Sequence, residues 1–175
     1  MYKCFIFVVQ KISLDLHQLK NKKMDFFQLI KEGDLEKIKA VVAQDPALVH
    51  QKNERGFPPL VMASYSNHLD LTHFFLESGA DINALDAVGN TALMGLCFKG
   101  YLEIVKLLLE KNADVNVRNI HGSTALIYAA TFGHTEVVSA LLAAGADKSF
   151  KDAKGNDAYT YAKSKGIVEL TELLA

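Results

Sequence analysis

Apolar residues recur at i, i+3 and i+4 in four stretches: Leu71, Phe74 and Phe75; Ile104, Leu107 and Leu108; Val137, Ala140 and Leu141; Leu170, Leu173 and Leu174. That spacing gathers three side chains on one side of a helix, so each stretch predicts a helix with a single apolar stripe. Gly79, Asn112 and Gly145 stand just beyond the first three stripes. A left-handed helix-terminating residue is wanted there, and glycine, or asparagine in its place, supplies it. Ahead of the stripes lie shorter apolar segments opened by Thr91, Thr124 and Asp157, residue types whose side-chain oxygen caps a helix N-terminus. The matching column in the preceding unit holds Pro58, followed by Pro59. The capping oxygen is lost there, but a proline at the first helical position is preorganised for helix entry. The pattern predicts pairs of short helices.

The pairs repeat with a period of 33. Gly56, Gly89, Gly122 and Gly155 keep that step, as do Asn53, Asp86, Asn119 and Asp152. So do Asn67, Gly100, Gly133 and Gly166, then Leu60, Leu93 and Leu126, then Ala80, Ala113 and Ala146, and finally Asp81, Asp114 and Asp147. Several columns in one register mark a repeat protein. Asp or Asn near Gly around a short loop supplies a side-chain-closed turn and a residue free to take positive φ.

The segment Asp86-Ala87-Val88-Gly89-Asn90-Thr91-Ala92-Leu93, with Glu103-Ile104-Val105-Lys106-Leu107-Leu108-Leu109 and Ala113-Asp114-Val115-Asn116, resembles the ankyrin repeat. The resemblance covers residues 24–175 and implies an all-α solenoid of stacked helix-turn-helix repeats joined by β-hairpin-like loops. Residues 24–52 read as an N-terminal capping repeat, 53–85, 86–118 and 119–151 as central repeats, and 152–175 as a closing repeat. The step from Gly33 to Asn67 is 34, which puts one extra residue in the Asp45-Pro46 loop. The family's Thr-Pro-Leu-His is absent, with Val61, Met94, Ile127 and Thr160 where its histidine would stand. Apolar packing is then expected to hold the stack in place of histidine hydrogen bonds.

Composition narrows the function. Half of the 175 residues are apolar and 22% are charged, enough for a packed core and inconsistent with a disordered chain. The longest apolar runs, Cys4 to Val9 and Ala125 to Ala130, are six residues, against about 18 for a membrane span. A net charge of −1 lacks the basic excess of a nucleic-acid binder. Cys4 and Cys97 form no CxxC pair and fit a reducing compartment, so a cytoplasmic setting is expected. Residues 1–23 hold five lysines against Asp15 and form a basic extension with an apolar start. An export signal would need a core of about 7–15 apolar residues. An extension packed on the first helices, or a helical unit starting at Met24, are the other readings.

No constellation for catalysis, cofactor or metal binding is found. The chain has no HExxH, GxSxG, P-loop or GxGxxG. His68 and His134 lie beside the inter-helix column, where they read as structural. Asp81, Asp114 and Asp147 come one per repeat and read as turn acids. Cys97 reads as a small buried thiol. The non-repeating positions are the ones free to bind. The resemblance implies that loop residues and first-helix ends line a concave face that contacts partners. Those columns hold Arg55, Val88, His121 and Lys154 with Phe57 two places on from Arg55, and then Tyr65, Phe98, Lys99, Phe132 and Lys165. Tyr65, Phe98 and Phe132 are expected to form an aromatic stripe rimmed by Arg55, Lys99 and Lys165, residue types that interface hot spots favour. The expected function is non-catalytic binding of a protein partner by a monomer. The alternative is a scaffold or accessory domain of an enzyme, or an envelope-associated protein acting through its N-terminal extension.

Overall fold

The computed structural model describes residues 26–175; the basic segment 1–23, with Cys4 and His17, lies outside the described residues. Helix α1 covers residues 26–32 and leads into α2 (Leu35–Gln44) and a 3-10 turn (Pro46–His50). Four further pairs complete the chain: α3 (Pro59–Tyr65) with α4 (Leu69–Glu77), α5 (Ala92–Lys99) with α6 (Leu102–Glu110), α7 (Ala125–Phe132) with α8 (Thr135–Ala143), and α9 (Ala158–Lys165) with α10 (Val168–Leu174). First helices pack on first helices (α3 on α5, α5 on α7, α7 on α9) and second helices on second helices. Two layers result, an inner row and an outer row. The extra residue near Asp45-Pro46 is absorbed where α2 runs ten residues, against nine in α4, α6 and α8. After Asp45 the chain forms a 3-10 turn opened by Pro46 rather than an open loop.

The caps form as their residue types require. Thr91, Thr124 and Asp157 accept from the amides of Met94, Ile127 and Thr160 at 3.3, 3.3 and 2.8 Å. Pro58 makes no such bond and Pro59 begins α3. Asn53, Asp86, Asn119 and Asp152 each use Oδ1 to accept from the amides two and four residues ahead, all at 2.8–3.1 Å. One backbone pair closes each loop, as in Asp86 N–H to Asn90 O at 2.9 Å. Neighbouring tips are joined at Ile120 N–H to Val88 O and Ala153 N–H to His121 O. No strand occurs among the described residues. The hairpin character of the connecting loops is confined to their tips.

The outer-helix stripe is rotated from its expected position. Leu71, Thr72 and Phe75 are fully buried, as are Ile104, Val105 and Leu108, and Val137, Val138 and Leu141. Phe74, Leu107 and Ala140, at i+3, are only half-buried. Each outer helix wedges between its own inner helix and the next outer helix. At 100° per residue the positions i, i+1 and i+4 fill one arc, and i+3 falls at its rim. Val61, Met94 and Ile127, standing in the missing-histidine column, are buried, so apolar contact does carry that interface. Polar stitches run beside it. Asn83 Oδ1 accepts from Asp114 N–H, and Asn116 Oδ1 from Asp147 N–H, both at 2.9 Å. His68 and His134 add links from another column, their Nε2 atoms lying 3.0 and 3.3 Å from the carbonyls of Lys31 and Phe98.

Leu108 is completely buried at mid-stack, so Leu108→Ala is expected to cost about 2–5 kcal/mol in chemical denaturation. Two glycines separate backbone strain from crowding. Gly145 has φ +86° with nothing near an added Cβ, whereas a Cβ at Gly100 (φ +76°) would lie 2.6 Å from the His134 ring. Gly100→Ala should therefore lower the melting temperature more than Gly145→Ala. Gly145→Asn should be milder than Gly145→Val, since Asn112 already takes φ +60° in that column and β-branched residues resist it. Equal melting temperatures within either pair would contradict this.

Candidate protein-interaction groove

The C-terminal ends of α3, α5 and α7 bring Tyr65, Phe98 and Phe132 together in space. Tyr65 and Phe98 lie parallel, with centroids 6.3 Å apart and planes at 16°. Phe98 meets Phe132 edge to face at 4.4 Å. The Lys99 ammonium sits 5.1 Å from the Tyr65 centroid and 5.7 Å from that of Phe98, within cation–π range. Tyr65 is 43% exposed and Phe132 45%, while Phe98 between them is half-buried. Burial, with Tyr128 and Tyr101 as lesser causes, pushes the Tyr65 phenol up, so it remains a neutral hydroxyl at physiological pH.

Tyr65 owes its position to a glycine that the repeat columns do not mark. A Cβ on Gly95, inside α5, would lie 2.8 Å from Tyr65 Cδ2. Gly95 is therefore the notch that receives the ring. A mid-helix glycine costs about 1 kcal/mol relative to alanine, and that cost was the available signal: such a residue usually has a packing reason.

At the tips, Arg55, Val88, His121 and Lys154 are exposed, as is Lys165 at the end of α9. Lys99 is the cation over the rings; Arg55 and Lys165 stand exposed on the tip and on the last inner helix. Phe57 departs from expectation. It is half-buried against the core, because a large aromatic ring gains from leaving water, while its amide donates to Asn53 Oδ1 at 2.9 Å as in the other tips. An open cavity of about 820 Å³ lies beside the stripe, lined by Phe27, Lys31, Arg55, Phe57, Met62, Tyr65 and Val88 among others. Phe57 is thus a wall of the groove. Phe27, Lys31 and Met62 were missed. With the extra residue of the first repeat counted, Lys31 falls in the column of Tyr65 and Phe98, which was the legible clue.

The cysteine and the carboxylates have structural surroundings. Cys97 is completely buried, and burial pushes its thiol far up, away from the reactive thiolate. Asp81, Asp114 and Asp147 each accept from the amide two residues on. Among the described residues there is no group of three or more metal-capable side chains, and no helix long and apolar enough to cross a membrane.

The signature described as ankyrin repeats (3 copies) matches residues 26–119 and 117–175. The chain belongs to the ankyrin repeat family. Similar proteins include the ankyrin repeat and SAM domain-containing protein 6 of Mus musculus, 34% identical over 76 residues, which is 43% of this chain and 9% of that protein. The DNA-binding protein RFXANK of Homo sapiens is 34% identical over 70 residues, or 40% of this chain and 27% of the relative. The NAD-capped RNA hydrolase NUDT12 of Homo sapiens is 32% identical over 62 residues, or 35% and 13%. The chain therefore matches 9%, 27% and 13% of these relatives, under a third of each. Ankyrin repeats in general mediate protein–protein interaction and are non-catalytic.

In the closing ankyrin repeat, the surroundings of Asp152 predict a pH dependence at the groove edge. Asp152, beneath the Lys154 tip, accepts from two amides and, at 2.5 Å, from the Tyr161 hydroxyl. Burial pushes this carboxyl up, but the bonds from Tyr161, Asn156 and Lys154 outweigh burial and hold it below its ordinary 3.8. A carboxyl depressed by folding lends stability above the unfolded value and loses it as pH falls through the folded one. Melting temperature should thus drop as pH falls below about 4. Asp152→Asn can copy the Asn119–Tyr128 pairing (3.1 Å) found one repeat earlier. It should melt close to the parent at neutral pH and show a shallower acid decline. An unchanged acid profile would remove Asp152 from this role.

Proposed function

We propose that this chain is a non-catalytic ankyrin module that holds a protein partner on its concave face and loop tips. The observation that carries the reading is the Tyr65–Phe98–Phe132 stripe. Its outer rings are nearly half exposed although large aromatic side chains gain most from burial. The contact surface comprises these rings with Lys99, the tips Arg55, Val88, His121 and Lys154, and Lys165, with Phe57 as a groove wall. The domain runs over 24–175, in units 24–52, 53–85, 86–118, 119–151 and 152–175, and acts as a monomer in a cytoplasmic setting. Because neighbouring repeats fix one another, the groove is preformed and little ordering entropy is lost on binding.

A second reading has a specific motive. The similar proteins are several times longer than their matched segments, and one is named as a hydrolase. An accessory role, recruiting a partner for chemistry done elsewhere, uses the same groove.

The test is a triple variant of the full chain, Tyr65→Ala/Phe98→Ala/Phe132→Ala, in affinity capture with bound proteins identified. Truncating a true anchor costs about 2 kcal/mol or more, roughly thirtyfold in affinity. The triple variant should lose its partner while keeping its helical content. Lys106→Ala/Glu110→Ala, on the exposed side of α6, should retain it. A triple variant that stays folded and still captures the same partner would locate binding elsewhere. One that unfolds would show the rings to be core.

A further inference from the structure

From α3 to α10 charge is segregated between the two helix layers, whereas the first repeat has Glu32 beside Lys31 on α1 and Lys37 and Lys39 against Glu36 on α2. The inner helices α3, α5, α7 and α9 carry three lysines, Lys99, Lys163 and Lys165, and no carboxylate. The outer helices α4, α6, α8 and α10 carry seven carboxylates against one lysine, Lys106. In a chain of net charge −1, the inner row of these four pairs is therefore basic and the outer row acidic. Rings and cations share the inner-helix ends. From the first repeat to the last, the inner-helix ends read Lys31, then Tyr65, then Phe98 with Lys99, then Phe132, then Lys165.

Resting on the groove function proposed for this chain, we infer that the partner presents an extended acidic segment, with bulky apolar side chains at one end and carboxylates at the other. The apolar end fits the rings and the cavity walled by Phe57 and Tyr65. The carboxylates fit Lys99 and, towards the closing repeat, Lys165. Three inter-helix steps of about 8–10 Å separate the Tyr65 end from the Lys165 end, a distance that roughly nine extended residues cover. Glu54 and Asp86 border the cavity together with Lys31 and Arg55, so its charges balance and that end takes the partner by its apolar side chains. Residues 1–23, with five lysines against Asp15, have the wrong charge for this face.

The occupant is tested by panning random peptides of about 12 residues on the full chain. Enriched sequences are then synthesised and their binding measured by fluorescence anisotropy at low and high salt. Enriched peptides should combine acidic residues with a bulky apolar cluster, and should weaken as salt screens exposed charge. Lys99→Glu/Lys165→Glu should weaken them by about tenfold or more with an unchanged circular dichroism melt, and peptides with lysine for the acids should bind that variant better than the parent. Neutral or basic peptides that are lost on Tyr65→Ala/Phe98→Ala/Phe132→Ala would overturn the acidic segment and leave the groove standing. Peptides indifferent to both variant sets would overturn the groove as well. Failure to enrich any peptide would overturn the inference. So would oligo-dT binding through the same lysines as tightly as the best peptide, because the face would then select polyanions in general.

Discussion

A single helix pair of this chain cannot cover its own apolar surface. The arc of α6 that carries Ile104, Val105 and Leu108 is buried completely because α5 lies on one side of it and α4 and α8 on the others. The same holds for α8, with its neighbours shifted by one repeat. Stability in such a stack is a sum of repeat and interface contributions. The 33-residue step is the constraint behind it: one inserted residue has to be absorbed outside the stacked arcs. The first repeat does this between α2 and the 3-10 turn at Pro46.

Loop geometry enforces the register. Each tip is closed by one Asn or Asp oxygen that takes two amides, and the next tip is bonded to it through the backbone at Val88–Ile120 and His121–Ala153. The asparagines add direct ties, such as Asn119 Nδ2 to Asn90 Oδ1 at 2.8 Å. These bonds are each worth about 1 kcal/mol, less than the apolar interfaces, but they are directional. Apolar packing supplies the energy, and the polar ties fix which residues meet. This division explains how the stack dispenses with the family histidine: Met94 and Ile127 pack in its column, while Asn83 and Asn116 stitch the loops.

The groove arises from the same periodicity. Columns that meet the neighbouring repeat are filled with leucine, alanine and isoleucine. Columns at the inner-helix ends meet only the adjacent end, so large rings there cover one another partially and remain half in solvent. Gly95 shows how finely the surface is fitted, since its missing side chain is what lets the Cδ2–Cε2 edge of the Tyr65 ring approach α5. Lys99 above the rings gains cation–π attraction and takes no carboxylate partner among the described residues.

The repeat, the helix pairs, the caps and the terminators were legible in the residues alone, because each depends on positions a few places apart whose physical requirements recur every 33 residues. The same columns marked Tyr65, Phe98, Phe132 and Lys99 as surplus to packing. Tertiary packing was needed to set how far each outer helix rotates, so that Val105 and Val138 are buried and Leu107 lies at the rim. Packing also turned Phe57 inward and brought Phe27, Lys31 and Met62 to one cavity beside Tyr65. Those outcomes depend on how closely neighbouring repeats approach, and a column of letters records that a position repeats without recording what faces it across the interface.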